Sequence, residues 1–174
     1  MRPRDTLRGA DRTLVIGVGS PLMGDDGLGL RALEELRDGY DFEPEVEFLD
    51  GGTWGMNLLP FIEEARRVLI LDAINADKSP GAVVELEGDA IPRFFSTKLS
   101  PHQIDLREVL ALAELRGTLP AIVALGIQPG SVRLRAEVGP EVERGLPLLV
   151  DAALHRLAGW GHEARRSPSR TDGR

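Results

Sequence analysis

Four acidic positions stand where a fold could put them to chemical use. Asp25 and Asp26 follow a short apolar run and a loop. Asp50 closes a second apolar run, and Asp72 closes a third. Aspartate is a poor strand residue, so its recurrence at three strand ends needs a cause. Taken singly, each Asp is explained by turn closure or helix capping. Taken together, they mark one acidic site. Clustered carboxylates repel unless one holds a proton or a cation sits among them. An imidazole would complete such a cation site. The chain has three histidines. His155, in a terminal helical pattern, and His162, in the tail, read as surface residues. His102 sits in Ser100-Pro101-His102-Gln103, just before a helical pattern. By its residues alone it is more often a solvent residue or a cap than a ligand. No cysteine is present, which excludes a thiol nucleophile, a thiolate metal site and a disulfide framework. Neither Ser20 nor Ser100 lies in a G-x-S-x-G elbow, so a serine mechanism has little support.

The elements that must position these groups follow from periodicity. Residues 13–17 (TLVIG) form an apolar run suited to a buried parallel strand. Residues 20–26 (SPLMGDD) are a loop, and a helix is predicted over 27–37 with Leu28, Ala32, Leu33 and Leu36 on one face. Residues 46–49 are a second strand. Residues 54–65 are helical in pattern, with Pro60 kinking or restarting the helix. Residues 68–71 (VLIL) are a third strand. After the turn at 78–81, a strand over 82–86 is expected to run antiparallel to its predecessor, because the turn is short. A loop over 96–102 leads to a helix over 104–116, then a strand over 121–126. Residues 132–135 alternate like a short edge strand. A terminal helix spans 142–157 with Pro147 inside it. Strands alternating with helices predict a three-layer αβα sandwich around a mainly parallel twisted sheet, with right-handed crossovers. Such sheets bind ligands outside the carboxyl ends of their strands.

Size and composition agree with one domain. The chain has 174 residues, 42% hydrophobic and 28% charged, and a formal net charge of −7. That balance argues against a nucleic-acid partner. No apolar run is long enough to span a bilayer. Residues 1–12 lack the apolar core of a signal peptide and read as a flexible leader. Residues 13–160 read as the single domain. Residues 161–174, basic and rich in Ser, Pro and Gly, read as a frayed tail. The expectation is a cytoplasmic protein apart from membranes, acting as a monomer.

The ordered motifs resemble the hydrogenase maturation protease family. Gly17-Val18-Gly19-Ser20 followed by Gly24-Asp25-Asp26-Gly27-Leu28-Gly29 is similar to that family's opening GxGN…D[DE]GxG pattern. Ser20 stands where Asn is common, and Asp26 where many members carry Glu. Asp50-Gly51-Gly52-Thr53 matches its DGGT turn, Asp72-Ala73 its DA strand end, Pro80-Gly81 its PG turn, and Ser100-Pro101-His102 its S-x-H segment. The resemblance runs over about residues 13–157. It implies an αβα sandwich with three metal ligands, which fall on Asp26, Asp72 and His102. It implies an endopeptidase that removes the C-terminal extension of the nickel-loaded precursor of a nickel–iron hydrogenase large subunit. The nickel is then the precursor's own. Two carboxylates and one imidazole suit nickel or zinc, and weak resting affinity is expected of so open a set.

Two forms of the chemistry remain open. In one, the metal polarises the carbonyl or activates a water. In the other, it anchors the substrate while Asp26 or Asp50 acts as general base. Specificity is expected in the loops at 73–80 and 91–99. Two other readings compete. A dinucleotide-binding domain would use Gly17-x-Gly19 and Asp50, but Leu22 replaces the third glycine and Asp25-Asp26 would oppose a pyrophosphate. A non-catalytic nickel-dependent maturation scaffold on the same fold is the other, since fold does not fix function.

Overall fold

The computed structural model describes residues 11–52, 55–91, 101–134 and 137–168, with the backbone alone at 101–105. The elements are β1 (Thr13–Val18), α1 (Leu28–Gly39), β2 (Tyr40–Glu43), β3 (Glu47–Gly52), α2 (Leu59–Glu64), β4 (Arg67–Ala73), β5 (Val83–Glu87), α3 (Pro101–Leu115), β6 (Ala121–Ile127), α4 (Pro140–Gly159) and β7 (Glu163–Arg166). Short 3-10 turns at Gly24–Gly27 and Gly55–Leu58 precede α1 and α2. The main sheet runs β3-β1-β4-β6-β5. Its first four strands are parallel, and β5 pairs antiparallel with β6.

The strands alternate their side chains between two buried layers. Leu14, Ile16, Val18, Val68 and Ile70 pack with Leu59 and Ile62 of α2 and with Leu106, Val109 and Ala113 of α3. Val15, Leu69, Leu71, Val123 and Leu125 pack with Leu28, Ala32, Leu33 and Leu36 of α1 and with Leu146, Leu149 and Ala153 of α4. Helices therefore cover both faces, and the αβα sandwich expected from the sequence is the fold. Each of these Leu or Val side chains contributes about 1.5–3 kcal/mol by leaving water.

Glycine decides how closely α1 sits on the sheet. A Cβ on Gly29 would lie 2.3 Å from the Leu71 carbonyl oxygen and 2.6 Å from that of Val18. The helix start is thus pressed onto the ends of β1 and β4. Pro60 restarts rather than kinks its helix: it stands in the first turn of α2, where a missing N–H costs nothing. Pro147 stands inside α4, as its sequence position requires.

The structure differs from the sequence reading at several places. The strand at 83–87 is antiparallel, but its partner is β6 rather than the preceding strand, because β4 is already flanked by β1 and β6. Residues 132–134 form no strand, their alternation notwithstanding: the sheet edge there is taken by β5. The frayed tail does not begin at 161. Residues 163–166 pair antiparallel with β2 in a separate two-stranded ribbon that sequence reading missed. His162 is buried, not a surface residue. One ring nitrogen lies 2.7 Å from the Pro44 carbonyl oxygen, the other 2.9 Å from Thr13 Oγ1. His155 is exposed, as expected. At the other terminus, Arg12 belongs to the fold, held by Glu47 and Glu64. Expectations for residues 1–10, 53–54, 92–100, 135 and 169–174 lie outside the described residues. Among the described residues, no helix is long and apolar enough to cross a membrane.

Candidate active site at the carboxyl edge of the sheet

The parallel register places the ends of β3, β1, β4 and β6 along one edge. Gly17 lies opposite Asp50 on one side and Leu71 on the other, and Asp72 lies opposite Gly126. Asp72 is therefore one step beyond the last β1–β4 pair. It is fully buried, and its Oδ1 accepts the Ala73 N–H at 2.8 Å. Asp26 reaches this edge from the 3-10 turn before α1, which packs against β4. It is 4% exposed, and its Oδ2 accepts the Ser20 N–H at 2.9 Å. Gly19 makes that approach possible. Its φ is +118°, and a Cβ there would lie 2.0 Å from the Asp26 carbonyl oxygen.

Asp72 thus ends β4, and Asp26 stands in the turn that packs against β4; both are buried. Asp50 shares the edge but is exposed in β3. It stands in water, apart from the buried pair. His102 falls in the first turn of α3 rather than in a loop before it. Its side chain lies outside the described residues. Among the described residues, no group of three His, Cys, Asp or Glu side chains stands ready to hold a metal.

Asp25 has a separate role that sequence reading did not assign. Its carboxylate accepts N–H groups from Gly130, Ser131 and Gly139, more than a hundred residues later. Only its adjacency to Asp26 marked it, and nothing local in the sequence names such distant partners. The 74–80 segment is likewise pinned from β6's end. Gln128 Oε1 accepts the Ala76 and Lys78 N–H groups at 2.8 and 3.1 Å, and Gln128 Nε2 donates to Asn75 Oδ1.

This geometry tells against a dinucleotide site. The Ser20 amide, which a phosphate would need, is already given to the Asp26 carboxylate. Two buried negative side chains stand where the pyrophosphate would dock. A buried pair of carboxylates is instead suited to a divalent cation or to holding a proton. Fold and edge together define an α/β protein with an acidic site at the strand ends, the equipment of a hydrolase.

Comparison with known proteins makes the class particular. Residues 30–156 match the family model for hydrogenase maturation proteases, and the chain belongs to that family. It is a maturation endopeptidase. The hydrogenase 2 maturation protease of Escherichia coli is 36% identical over 155 residues, covering 88% of this chain and 94% of that protein. Hydrogenase expression/formation protein HoxM of Cupriavidus necator is 40% identical over 147 residues, covering 78% and 73%. Among solved structures, the hydrogenase maturating endopeptidase HybD from E. coli superposes with a TM-score of 0.85 at 34% identity, covering 89% of this chain and 97% of that one.

Proposed function

We propose that this endopeptidase removes the C-terminal extension from the nickel-loaded precursor of a nickel–iron hydrogenase large subunit. In this reading Asp26, Asp72 and His102 complete the coordination of the precursor's nickel, and Asp26 or Asp50 serves as general base. The observation that carries it is the burial of Asp72 at the end of β4 and of Asp26 in the turn packed against that strand, in a chain of this family. The donor set fits: two carboxylate oxygens and an imidazole nitrogen suit nickel or zinc.

The position of the third ligand is consistent with the set. Position 102 lies one helical turn before Leu106, on the same face of α3. Leu106 is buried on that face of the sheet, and α3 packs against the 3-10 turn Gly55–Leu58 that follows the carboxyl end of β3. A nickel ion held in the precursor would then seat its peptide bond at a fixed distance from the sheet edge, so recognition supplies positioning. The setting we assign is the cytoplasm, with the protein acting as a monomer apart from membranes and nucleic acid.

The test is incubation with nickel-loaded precursor, read by mass spectrometry of its C-terminus. The wild type should release a short peptide. His102→Ala should release none while melting as the wild type does. Cutting by His102→Ala, or its failure to fold, would overturn the ligand role, and no mass loss with the wild type would favour a non-catalytic scaffold. Asp50→Asn divides the chemistry. If it still binds the precursor in a metal-dependent way but cannot cut, the general-base form gains and the metal-only form loses.

A further inference from the structure

We infer that Asp25 is a positioning residue: it clamps the segment after β6 against the turn that carries Asp26, fixing one wall of the groove that receives the precursor's C-terminal peptide. The identity of what touches that wall rests on the proposed function. The clamp does not.

The two neighbouring aspartates divide their work. Asp26 faces the strand ends. Asp25, 1% exposed, turns to the later segment. Its Oδ2 accepts the N–H groups of Gly130 at 2.8 Å and Ser131 at 2.7 Å, and its Oδ1 accepts that of Gly139 at 2.7 Å. Its own N–H donates to the Ser131 carbonyl oxygen at 3.3 Å. Both lone pairs of Oδ2 are thereby occupied, which makes Asp25 a poor metal ligand. Buried charge-assisted hydrogen bonds of this kind are about twice as strong as neutral ones. They hold both ends of the connection between β6 and α4 to the start of α1.

What the clamped segment presents is apolar. Val132 is 43% exposed and Leu134 is 82% exposed. Leu22 and Met56 are also exposed, on the segments that follow β1 and β3. All four follow the carboxyl ends of parallel strands, the edge that holds Asp26 and Asp72. Continuity with that site makes the precursor's peptide the occupant. A wall already rigid before binding saves the ordering cost a loose one would incur.

Asp25→Asn tests this. It keeps the size but sets an NH2 against an N–H donor. Loss of one such hydrogen bond should raise hydrogen exchange at Gly130, Ser131 and Gly139 about tenfold or more. Calorimetric titration with Ni²⁺ alone should match the wild type. Cleavage of the precursor should show a raised KM at nearly unchanged kcat. Retained amide protection would overturn the clamp. A fall in kcat at unchanged KM, or loss of Ni²⁺ binding, would put Asp25 in the reacting set and overturn the positioning role.

Should Asp25→Asn fail to fold, Gly139→Pro deletes one donor from the other side. Gly139 has φ −66° and ψ 147°, values proline adopts without strain. It should loosen Gly130 and Ser131 and raise KM; unchanged exchange there would again overturn the clamp. Leu134→Ser, on the surface, should raise KM and leave exchange as it is, and an unchanged KM would overturn the wall. If the wild type does not cut the precursor, the proposed function fails while the exchange measurement still decides the clamp.

Discussion

The two ends of the sheet hold their polar groups in opposite ways. At the amino end of β1, basic side chains reach carboxylates, a hydroxyl and backbone carbonyls. Arg12 reaches Glu47 and Glu64, His162 bridges Thr13 and Pro44, and Arg67 donates to the Trp160 carbonyl oxygen. The hydrogen bond to Glu47, above all, raises the Arg12 pKa further above its ordinary value. At the carboxyl end, Asp25, Asp26 and Asp72 accept backbone N–H groups, and glycine lets the main chain approach them. The first end is a closure that ties the termini of the fold to the sheet. The second is a scaffold of main chain that sets acidic oxygens in place, which suits a site that must meet an external ion and a peptide.

The comparison can be broken most sharply at Gly29. Ala there would drive a Cβ into two strand-end carbonyl oxygens with no flexible side chain to move. We expect a loss of about 3 kcal/mol or more, or no folded protein, by thermal or urea melting. A well-folded, fully stable Gly29→Ala would show that the carboxyl edge is looser than described.

His162→Ala tests the opposite end. It strands the Thr13 hydroxyl and the Pro44 carbonyl, a cost of about 1–3 kcal/mol. Precursor cleavage by the folded fraction should be unchanged, and a selective loss of cleavage would erase the division between the two ends.

The smallest effect belongs to the surface pair Arg31–Glu143, which links α1 to α4. Arg31's hydrogen bond holds the Glu143 pKa below its ordinary value. The group therefore adds stability above the unfolded Glu pKa of about 4.3 and loses it as pH falls through the lower folded value. Both side chains are well exposed, so Glu143→Gln should cost no more than about 0.5 kcal/mol at neutral pH. The difference from wild type should vanish in acid. A difference that persists there would need another cause.

The contrast also explains what was legible in the sequence. β1, β4 and β6 carry apolar runs because both faces are buried, and Leu28, Ala32, Leu33 and Leu36 repeat at helical spacing because they line one core. The places of Asp26 and Asp72 were legible because Asp72 ends such a run and Asp26 follows one after a short loop. The β2–β7 ribbon was not. Tyr40–Glu43 and Glu163–Arg166 lie beside the core rather than in it, so their pattern carries charge instead of periodicity. The burial of His162 and the clamp of Asp25 depend on partners over a hundred residues away, which no local spacing encodes. Residues 132–134 misled because so short an alternation pairs with no strand, and β5 holds the place beside β6.

The central claim is that the working ion meets this protein at the carboxyl edge. Titrating Mn²⁺ into isotope-labelled protein and following paramagnetic broadening of the backbone amides tests it directly, even at weak affinity. Broadening should centre on Ser20, Asp26 and Ala73 and disappear in Asp72→Asn. Broadening centred instead on the surface acids Glu34, Glu35 and Asp38, and unaltered in that variant, would contradict the account.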